Sequence, residues 1–94
     1  MVFAWDEKKA RINQRKHGVS FETAARVFDD PFAVSYVDRV VDGEERWHTI
    51  GLAGGAAALL VVHTNGELYG EEEIRIISAR KAGPRERTHY DTHQ

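Results

Sequence analysis

Turn-forming residues divide the chain after residue 31 into short segments, and this spacing restricts the possible folds more than any other feature. Three dipeptides typical of tight turns are Asp42-Gly43, Gly54-Gly55 and Asn65-Gly66. The segments around them have the length and the β-branched, aromatic or apolar content of strands: residues 32–37, 46–50, 57–62 and 74–80. Because short turns join neighbouring strands, we expect an antiparallel meander in which the wholly apolar segment 57–62 is central.

Helix-start signals precede the first strand of this meander and follow its last strand. They are Asp6 before a helix over residues 7–16, Ser20 before a second helix that ends near residue 29, and Gly83-Pro84 before a short C-terminal helix. The apolar residues 3–5 add a short strand at the start. The order β-α-α-β-β-β-β-α predicts an α+β fold, with a single domain over residues 1–94 in which two N-terminal helices and one C-terminal helix pack on an antiparallel sheet.

The charges are segregated along the chain, although the net charge is only −2. Residues 6–16 carry five Lys or Arg against two acids, and residues 75–87 carry five against one. Residues 22–46 hold seven acids against three Arg, and residues 67–73 hold four acids. If the two basic segments meet in space, they form a surface for phosphate groups, whereas solvated helix faces are the alternative. The acidic middle of the chain suits a basic partner.

Composition and the start of the sequence exclude several classes of protein. No cysteine is present, which excludes a disulfide framework and a thiolate metal site. The first residues lack a basic region followed by an apolar run, and no segment approaches the roughly 18 apolar residues of a membrane span. We therefore expect a cytoplasmic protein that is not inserted in a membrane. A chain of 94 residues buries a limited core, so a partner or a dimer is an expected source of stability.

A series of short motifs extends along nearly the whole chain. The motifs are Phe3-Ala4-Trp5-Asp6-Glu7, Lys9, Asn13, Lys16-His17-Gly18-Val19-Ser20-Phe21-Glu22, Gly43-Glu44-Glu45-Arg46, Ile50-Gly51, Val61-Val62-His63-Thr64, Arg75-Ile76-Ile77-Ser78-Ala79-Arg80, Glu86-Arg87 and Tyr90. In this order and at these distances the series resembles the BrnT family of toxins, and an ordered series is far more specific than any one piece. The resemblance implies a RelE-like fold and a ribonuclease that arrests growth by cleaving RNA without a metal or another cofactor.

The same resemblance implies a type II toxin–antitoxin pair. The partner would be a DNA-binding antitoxin of the BrnA type, held in a hetero-oligomer, with a toxin dimer as a further option. Operator DNA would be bound only through the antitoxin. A function of another class stays open, namely a non-catalytic interaction module that co-represses its operon together with the antitoxin.

Metal-free RNA cleavage needs a group that takes the 2′-hydroxyl proton, cations that stabilise the phosphorane, and a group that protonates the leaving 5′-oxygen. Arg46 and Arg80 are the candidates for stabilising phosphate, because one guanidinium can bind two oxygens. The candidates for binding RNA are Lys16, Arg75 and Lys81. In a regular strand over residues 74–80, Arg80 would share a face with Ile74, and Arg75 would point the opposite way. A structural ion pair between Arg80 and Glu86 is the alternative to a phosphate clamp.

Four residues are the candidates for proton transfer. His48 alternates onto the same face of its strand as Arg46, although an exposed strand face would explain both residues equally well. His17 ends the first helix, where the helix dipole also favours a cation. Glu86 and Tyr90 are four residues apart on one helix and share a face, so they could present an acid and a base to the sheet. Tyr90 could instead be the residue that docks this helix.

Three further histidines are less suited to the reaction. His63 ends an apolar strand, so we expect a hydrogen-bonded core residue. His89 and His93 have the spacing of a helical metal pair, but no cysteine or third ligand accompanies them. We therefore expect a solvated tail and no metal site.

Overall fold

A computed structural model describes residues 1–55 and 57–93. The elements in chain order are β1 (Val2–Ala4), α1 (Glu7–His17), α2 (Phe21–Ala25) continued by a 3₁₀ helix (Arg26–Asp29), β2 (Val34–Val41), β3 (Glu44–Leu52), β4 (Ala58–Leu68), β5 (Glu71–Lys81) and α3 (Pro84–Thr92). The predicted order and the α+β class are confirmed. None of the helices in the described part of the chain is long and apolar enough to span a membrane.

The sheet has the strand order β1-β5-β4-β3-β2. The strands β2 to β5 form the predicted antiparallel meander, and β4 is central as expected. The fully antiparallel sheet is a wrong detail, because β1 pairs with β5 in parallel and makes the sheet mixed. This arises because α1 and α2 lead the chain away from β1 before the meander begins, so β1 is free to pair with the last strand.

The helix caps follow the predicted residues. The Asp6 side chain accepts a hydrogen bond from the Lys9 amide at 3.0 Å, and Gly18 ends α1 in the left-handed conformation with φ 72°. Ser20 caps α2 through the amide of Thr23. These caps fix where the helices begin because they satisfy amides that the helix itself leaves unpaired.

Asn65-Gly66 was predicted as a connection, and this is wrong. β4 continues through both residues to Leu68, and the turn lies at Tyr69-Gly70, where φ is 51° and 80°. Asp42-Gly43 has the same pair of φ values, as expected of a two-residue hairpin turn. The β4–β5 hairpin therefore extends beyond the last residue of β4 that pairs with β3, which is His63.

The two faces of the sheet are covered unequally. Helices α1 and α2 cover one face and bury the larger core there, which includes Phe21, Val27, Val61 and Ile76. Among the described elements, α3 alone packs on the other face, and a smaller cluster forms there around Ile50, Leu60 and Tyr90. We call this second side the open face.

Two β-bulges change which side chains reach the open face. One lies in β2 at Asp38, and the other lies in β5 between Ile76 and Ser78. A bulge inserts one residue, so the alternation of side chains reverses beyond it. Because Ile74, Ile76 and Ala79 all face the helices, Arg75 and Arg80 both lie on the open face. The opposition of these two arginines was expected only without a twist or bulge, and the bulge in β5 removes it.

Candidate active site

His48 lies on the open face between two polar groups of β2. Its Nδ1 is 3.2 Å from the Tyr36 hydroxyl, and its Nε2 is 3.5 Å from the Asp38 carboxylate. Because a carboxylate only accepts hydrogen bonds, we assign the ring hydrogen to Nε2, and Nδ1 then accepts from Tyr36. The His48 side chain is 16% exposed and Asp38 is 27% exposed. The geometry is that of a proton-transfer pair oriented by a third group.

The Tyr36 hydroxyl keeps its proton at neutral pH. Burial raises the pKa of Tyr36, and the negative charges of Glu86 and Asp38 raise it further. The Tyr36 ring also contacts the His89 ring of α3 edge-on, with centroids 5.4 Å apart. Tyr36 is thus a proton donor held between β3 and α3.

Arginines lie on both sides of His48 along the open face. Tyr36, His48, Val62 and Ser78 form one row across four strands. On one side of this row, Arg80 pairs across the strands with Leu60, two residues before Val62. On the other side are Arg46, which precedes His48 by two residues, and Arg75, which pairs with Thr64. The predicted arginines are therefore brought to the same face as His48.

Arg80 forms the ion pair with Glu86 that the sequence left as an alternative. Its Nη1 and Nη2 each donate to one Glu86 oxygen at 2.8 Å, and Nη1 also donates to the Lys81 carbonyl. Glu86 in turn accepts from the Gly83 amide at 2.7 Å and caps α3. These contacts use three of the five guanidinium hydrogens, so Nε and one Nη2 hydrogen have no partner within the described residues.

Glu86 is not suited to donate a proton. Its hydrogen bond to Arg80 lowers the pKa of Glu86, although burial acts in the opposite direction. The carboxylate is therefore ionised at neutral pH and its oxygens are occupied by Arg80 and Gly83. Its geometry is that of a group that orients Arg80.

Arg46 is the second phosphate candidate. It pairs across the β2–β3 ladder with Arg39, whose own side chain is bound to Asp38 at 2.7 Å. The Arg46 Nε is buried and has no hydrogen-bond partner within the described residues. A buried donor without a partner costs free energy, so an acceptor supplied by a ligand would be favourable at this position.

Tyr90 lies apart from His48 and has a different partner. Its hydroxyl donates to Asp30 at 2.7 Å, and this hydrogen bond raises the pKa of Tyr90 to about 12. The Tyr90 ring is buried against Ile50 and Leu60. The predicted acid–base pair of Glu86 with Tyr90 is thus not assembled, and the structure places Tyr90 where it docks α3.

Lys16 and His17 lie at the β5 edge of the sheet. They line a groove of about 200 Å³ together with Lys9, Asn13 and Ser78, among others. The groove therefore meets the His48 row at Ser78. Lys81 is exposed, but its cross-strand partner is Leu59 on the helix-covered side, so it does not accompany Arg80 on the open face.

His63 is a core residue, as expected. It is 1% exposed, and its Nδ1 lies 3.0 Å from the Asn65 side-chain oxygen. Its Nε2 lies 2.6 Å from the Thr49 hydroxyl, which also contacts Ser35 at 2.7 Å. Burial lowers the pKa of His63, so the ring is neutral at pH 7.

The His89 and His93 rings lie with centroids 4.4 Å apart at the end of α3. His93 Nδ1 is 2.8 Å from the His89 carbonyl oxygen. No group of three potential metal ligands is assembled within residues 1–55 and 57–93. The pair therefore has no third ligand among these residues.

Two site residues, Tyr36 and Asp38, were missed from the sequence. The two-residue turn at Asp42-Gly43 predicts which residues of β2 oppose β3, but counting from that turn places Val37 opposite His48. The bulge at Asp38 shifts the register by one residue and brings Tyr36 there instead. The position of the turn therefore predicts the partner of His48 to within one residue, but it does not identify Tyr36.

The fold and the site define a small α+β protein with a histidine flanked by arginines on one face of its sheet. The chain is similar in structure to the Brucella abortus ribonuclease toxin, BrnT, solved at 1.1 Å resolution. The TM-score is 0.60 at 23% sequence identity, and the match covers 88% of this chain and 99% of that chain. At this identity the likeness shows the fold alone. No curated protein sequence matches the chain significantly.

The family itself is shown by sequence. The profile of the family described as "Ribonuclease toxin, BrnT, of type II toxin-antitoxin system" matches residues 5–86. The chain therefore belongs to the BrnT family of ribonuclease toxins, and a type II system implies an antitoxin partner.

Proposed function

We propose that this chain is a metal-independent endoribonuclease toxin whose active site is the open face around His48. The observation that carries the proposal is the position of the His48 ring between the Tyr36 hydroxyl and the Asp38 carboxylate, with arginines on both sides of it. The family supplies the reaction class, ribonuclease. The side chains supply groups that can move protons and stabilise phosphate without a metal.

Proton transfer runs through Tyr36 and His48. Tyr36 takes the proton of the 2′-hydroxyl as its own hydroxyl proton moves to His48 Nδ1, and the resulting imidazolium lies beside the Asp38 carboxylate. The 2′-oxygen attacks phosphorus, and the bond to the 5′-oxygen breaks. The reverse movement, from Nδ1 through Tyr36, returns a proton to the leaving 5′-oxygen. A pair placed in this way typically contributes about a hundredfold to ten-thousandfold to the rate.

The arginines stabilise the negative charge that develops on the phosphate. Arg80 is held in place by Glu86 and retains donors for the phosphate oxygens, and Arg46 contributes its Nε, which has no hydrogen-bond partner within the described residues. Arg75 and Lys16 bind flanking parts of the RNA. Preorganised donors of this kind are worth about 3 kcal/mol each in the transition state, because they need not reorient as the charge develops.

The antitoxin we propose is a DNA-binding protein of the BrnA type. The exposed end of the β4–β5 hairpin carries the acids Glu67 and Glu72 beside the exposed Tyr69, while Glu71 is paired with the N-terminal amino group, and this surface suits a cationic segment with apolar residues. The pair binds operator DNA through the antitoxin. The compartment we propose is the cytoplasm, where both RNA and the antitoxin are present.

Expression of the chain alone tests the class of function. We expect growth arrest that co-expression of the neighbouring antitoxin relieves, and RNA cleavage by the purified chain that persists in excess EDTA. Normal growth with soluble folded protein would favour the non-catalytic co-repressor. Loss of cleavage in EDTA with recovery in Zn²⁺ would contradict metal independence and direct attention to His89 and His93.

A further inference from the structure

Helix α1 is strongly basic, with five exposed cations against one acid. Its exposed cations are Lys8, Lys9, Arg11, Arg15 and Lys16. Its one acid, Glu7, accepts a hydrogen bond from the Trp5 indole at 3.0 Å. No cation of α1 forms an ion pair within the described residues. The charges of Lys8 and Lys9 do attract the capping Asp6 carboxylate electrostatically.

Part of this charge lines the groove of about 200 Å³ at the β5 edge. Lys9, Lys16 and His17 come from α1, and Ser78 comes from β5. Asn13 fixes the helix at this position, because its side-chain amide donates to the carbonyls of Ala79 at 2.9 Å and Val19 at 3.0 Å, and its oxygen accepts from the Ala79 amide at 3.1 Å. These bonds fix α1 against β5 at the groove, and its lysines form no ion pair within the described residues.

The groove is in line with the candidate active site. Ser78 and His48 both pair with Val62, so they lie in one row on the open face, two strands apart. Two strand spacings amount to about 10 Å. That distance corresponds to about three stacked nucleotides at 3.4 Å each, or fewer in an extended strand. A single strand with its scissile phosphate at His48 can therefore place another phosphate in the groove.

We infer that the groove between α1 and β5 is a second phosphate subsite, which binds the backbone of single-stranded RNA a few nucleotides from the cleaved bond. Lys9 and Lys16 bind the phosphate oxygens, and Ser78 and His17 offer hydrogen bonds. The inference rests on the proposed function, because the distance is counted from His48. It gives a role to the cations of α1 that form no ion pair within the described residues, in a chain whose net charge is −2.

The test measures binding of 2′-O-methyl RNA, which has no 2′-hydroxyl and cannot be cleaved by the proposed route. Fluorescence anisotropy on the full chain follows a series of oligonucleotides of increasing length. We expect affinity to rise in a step of about tenfold when the strand becomes long enough to reach the groove. The double variant Lys9→Gln/Lys16→Gln should lose this step, and the slope of log K against log salt should fall by about 0.7 for each phosphate that the variant no longer neutralises.

A matched control comes from the same helix. Arg11→Gln/Arg15→Gln removes two charges from α1, but these residues do not line the groove and lie on the side of the helix away from it at 100° per residue. We expect the length step to survive in the control. An equal fall in affinity in both variants would overturn the subsite and leave only diffuse attraction, and an unchanged step in Lys9→Gln/Lys16→Gln would also overturn it.

The same measurement separates this inference from the proposed function. If the wild type shows the length step but never cleaves unmodified RNA, the proposed ribonuclease function is wrong and the RNA-binding groove is supported. If it cleaves RNA but its affinity shows no step with oligonucleotide length, the second phosphate subsite is wrong and the proposed ribonuclease function is supported. Binding of anionic vesicles in place of RNA, with the same sensitivity to Lys9→Gln/Lys16→Gln, would assign the groove to a membrane surface and overturn the RNA subsite.

Discussion

Removal of the Tyr90 hydroxyl tests how α3 is held on the sheet. Tyr90 is the one residue of α3 that is buried within the described part of the helix, and its hydroxyl donates to Asp30 at 2.7 Å. Asp30 also accepts from the amides of Phe32 and Leu52, each at 2.9 Å. Burial by itself would raise the pKa of Asp30, but these three hydrogen bonds lower it. Tyr90→Phe removes one bond to an ionised acceptor.

The expected loss follows from the chemistry of this hydrogen bond. A hydrogen bond to a charged group contributes about 1.5–3 kcal/mol to stability. Asp30 keeps two amide donors and some access to water, so we expect the lower end, about 1.5 kcal/mol. In a domain of this size that loss lowers the melting temperature by at least about 6 °C.

Urea unfolding of Tyr90→Phe, Asp30→Asn and the double variant measures the interaction as a double-mutant cycle. We expect a coupling free energy above about 1 kcal/mol. Tyr36→Phe is the matched control, because it removes a hydroxyl that is hydrogen-bonded to the His48 ring and not to a carboxylate. That variant should stay within about 1 kcal/mol of wild type yet lose cleavage, whereas folded Tyr90→Phe should cleave normally. Coupling below about 0.5 kcal/mol, or the opposite pattern of activities, would refute this division of roles.

Three further predictions concern pH, arginine positioning and the antitoxin. Burial lowers the pKa of His63 from 6.5 in the folded chain, so the unfolded chain takes up the proton at higher pH. The free energy of unfolding should therefore decrease as the pH is lowered through 6.5. Urea titrations of His63→Gln should not show this decrease. Glu86→Gln should slow single-turnover cleavage about tenfold to a hundredfold, because Arg80 loses its ionic partner, and anisotropy should show undiminished RNA binding. Glu67→Lys/Glu72→Lys, on facing positions of the hairpin, should weaken antitoxin binding in calorimetry while cleavage by the free toxin is unchanged.

The sequence predicted most of the fold because its local signals agree with the tertiary structure. Asp6, Ser20 and Gly18 mark helix ends by backbone chemistry that needs no distant partner. The error at Asn65-Gly66 has a clear reason. The strand pairing of β4 with β5 outweighs the local turn preference of that dipeptide, and the turn moves to Tyr69-Gly70 although tyrosine must then adopt a positive φ.

The candidate site was predicted less completely because it depends on two bulges. Residue types alone pointed to Arg46, His48 and Arg80, but a bulge is a tertiary compromise that leaves no local signal in the chain. The bulge after Ile76 brings Arg75 to the open face, and the bulge at Asp38 brings Tyr36 to His48. The Arg80–Glu86 ion pair was among the alternatives because the two residues are only six apart, whereas the bond from Tyr90 to Asp30 joins residues 60 apart in sequence and was not predicted.

The most direct test of the central claim is the single-turnover cleavage rate of His48→Gln in excess EDTA. We expect a rate at least about a hundredfold below that of wild type, with a melting temperature within a few degrees of it, since His48 has no bond to a buried charge. His93→Gln, which changes an exposed histidine of the C-terminal turn, is the control and should cleave at the wild-type rate. A His48→Gln chain that is folded and cleaves RNA as fast as wild type would contradict the account.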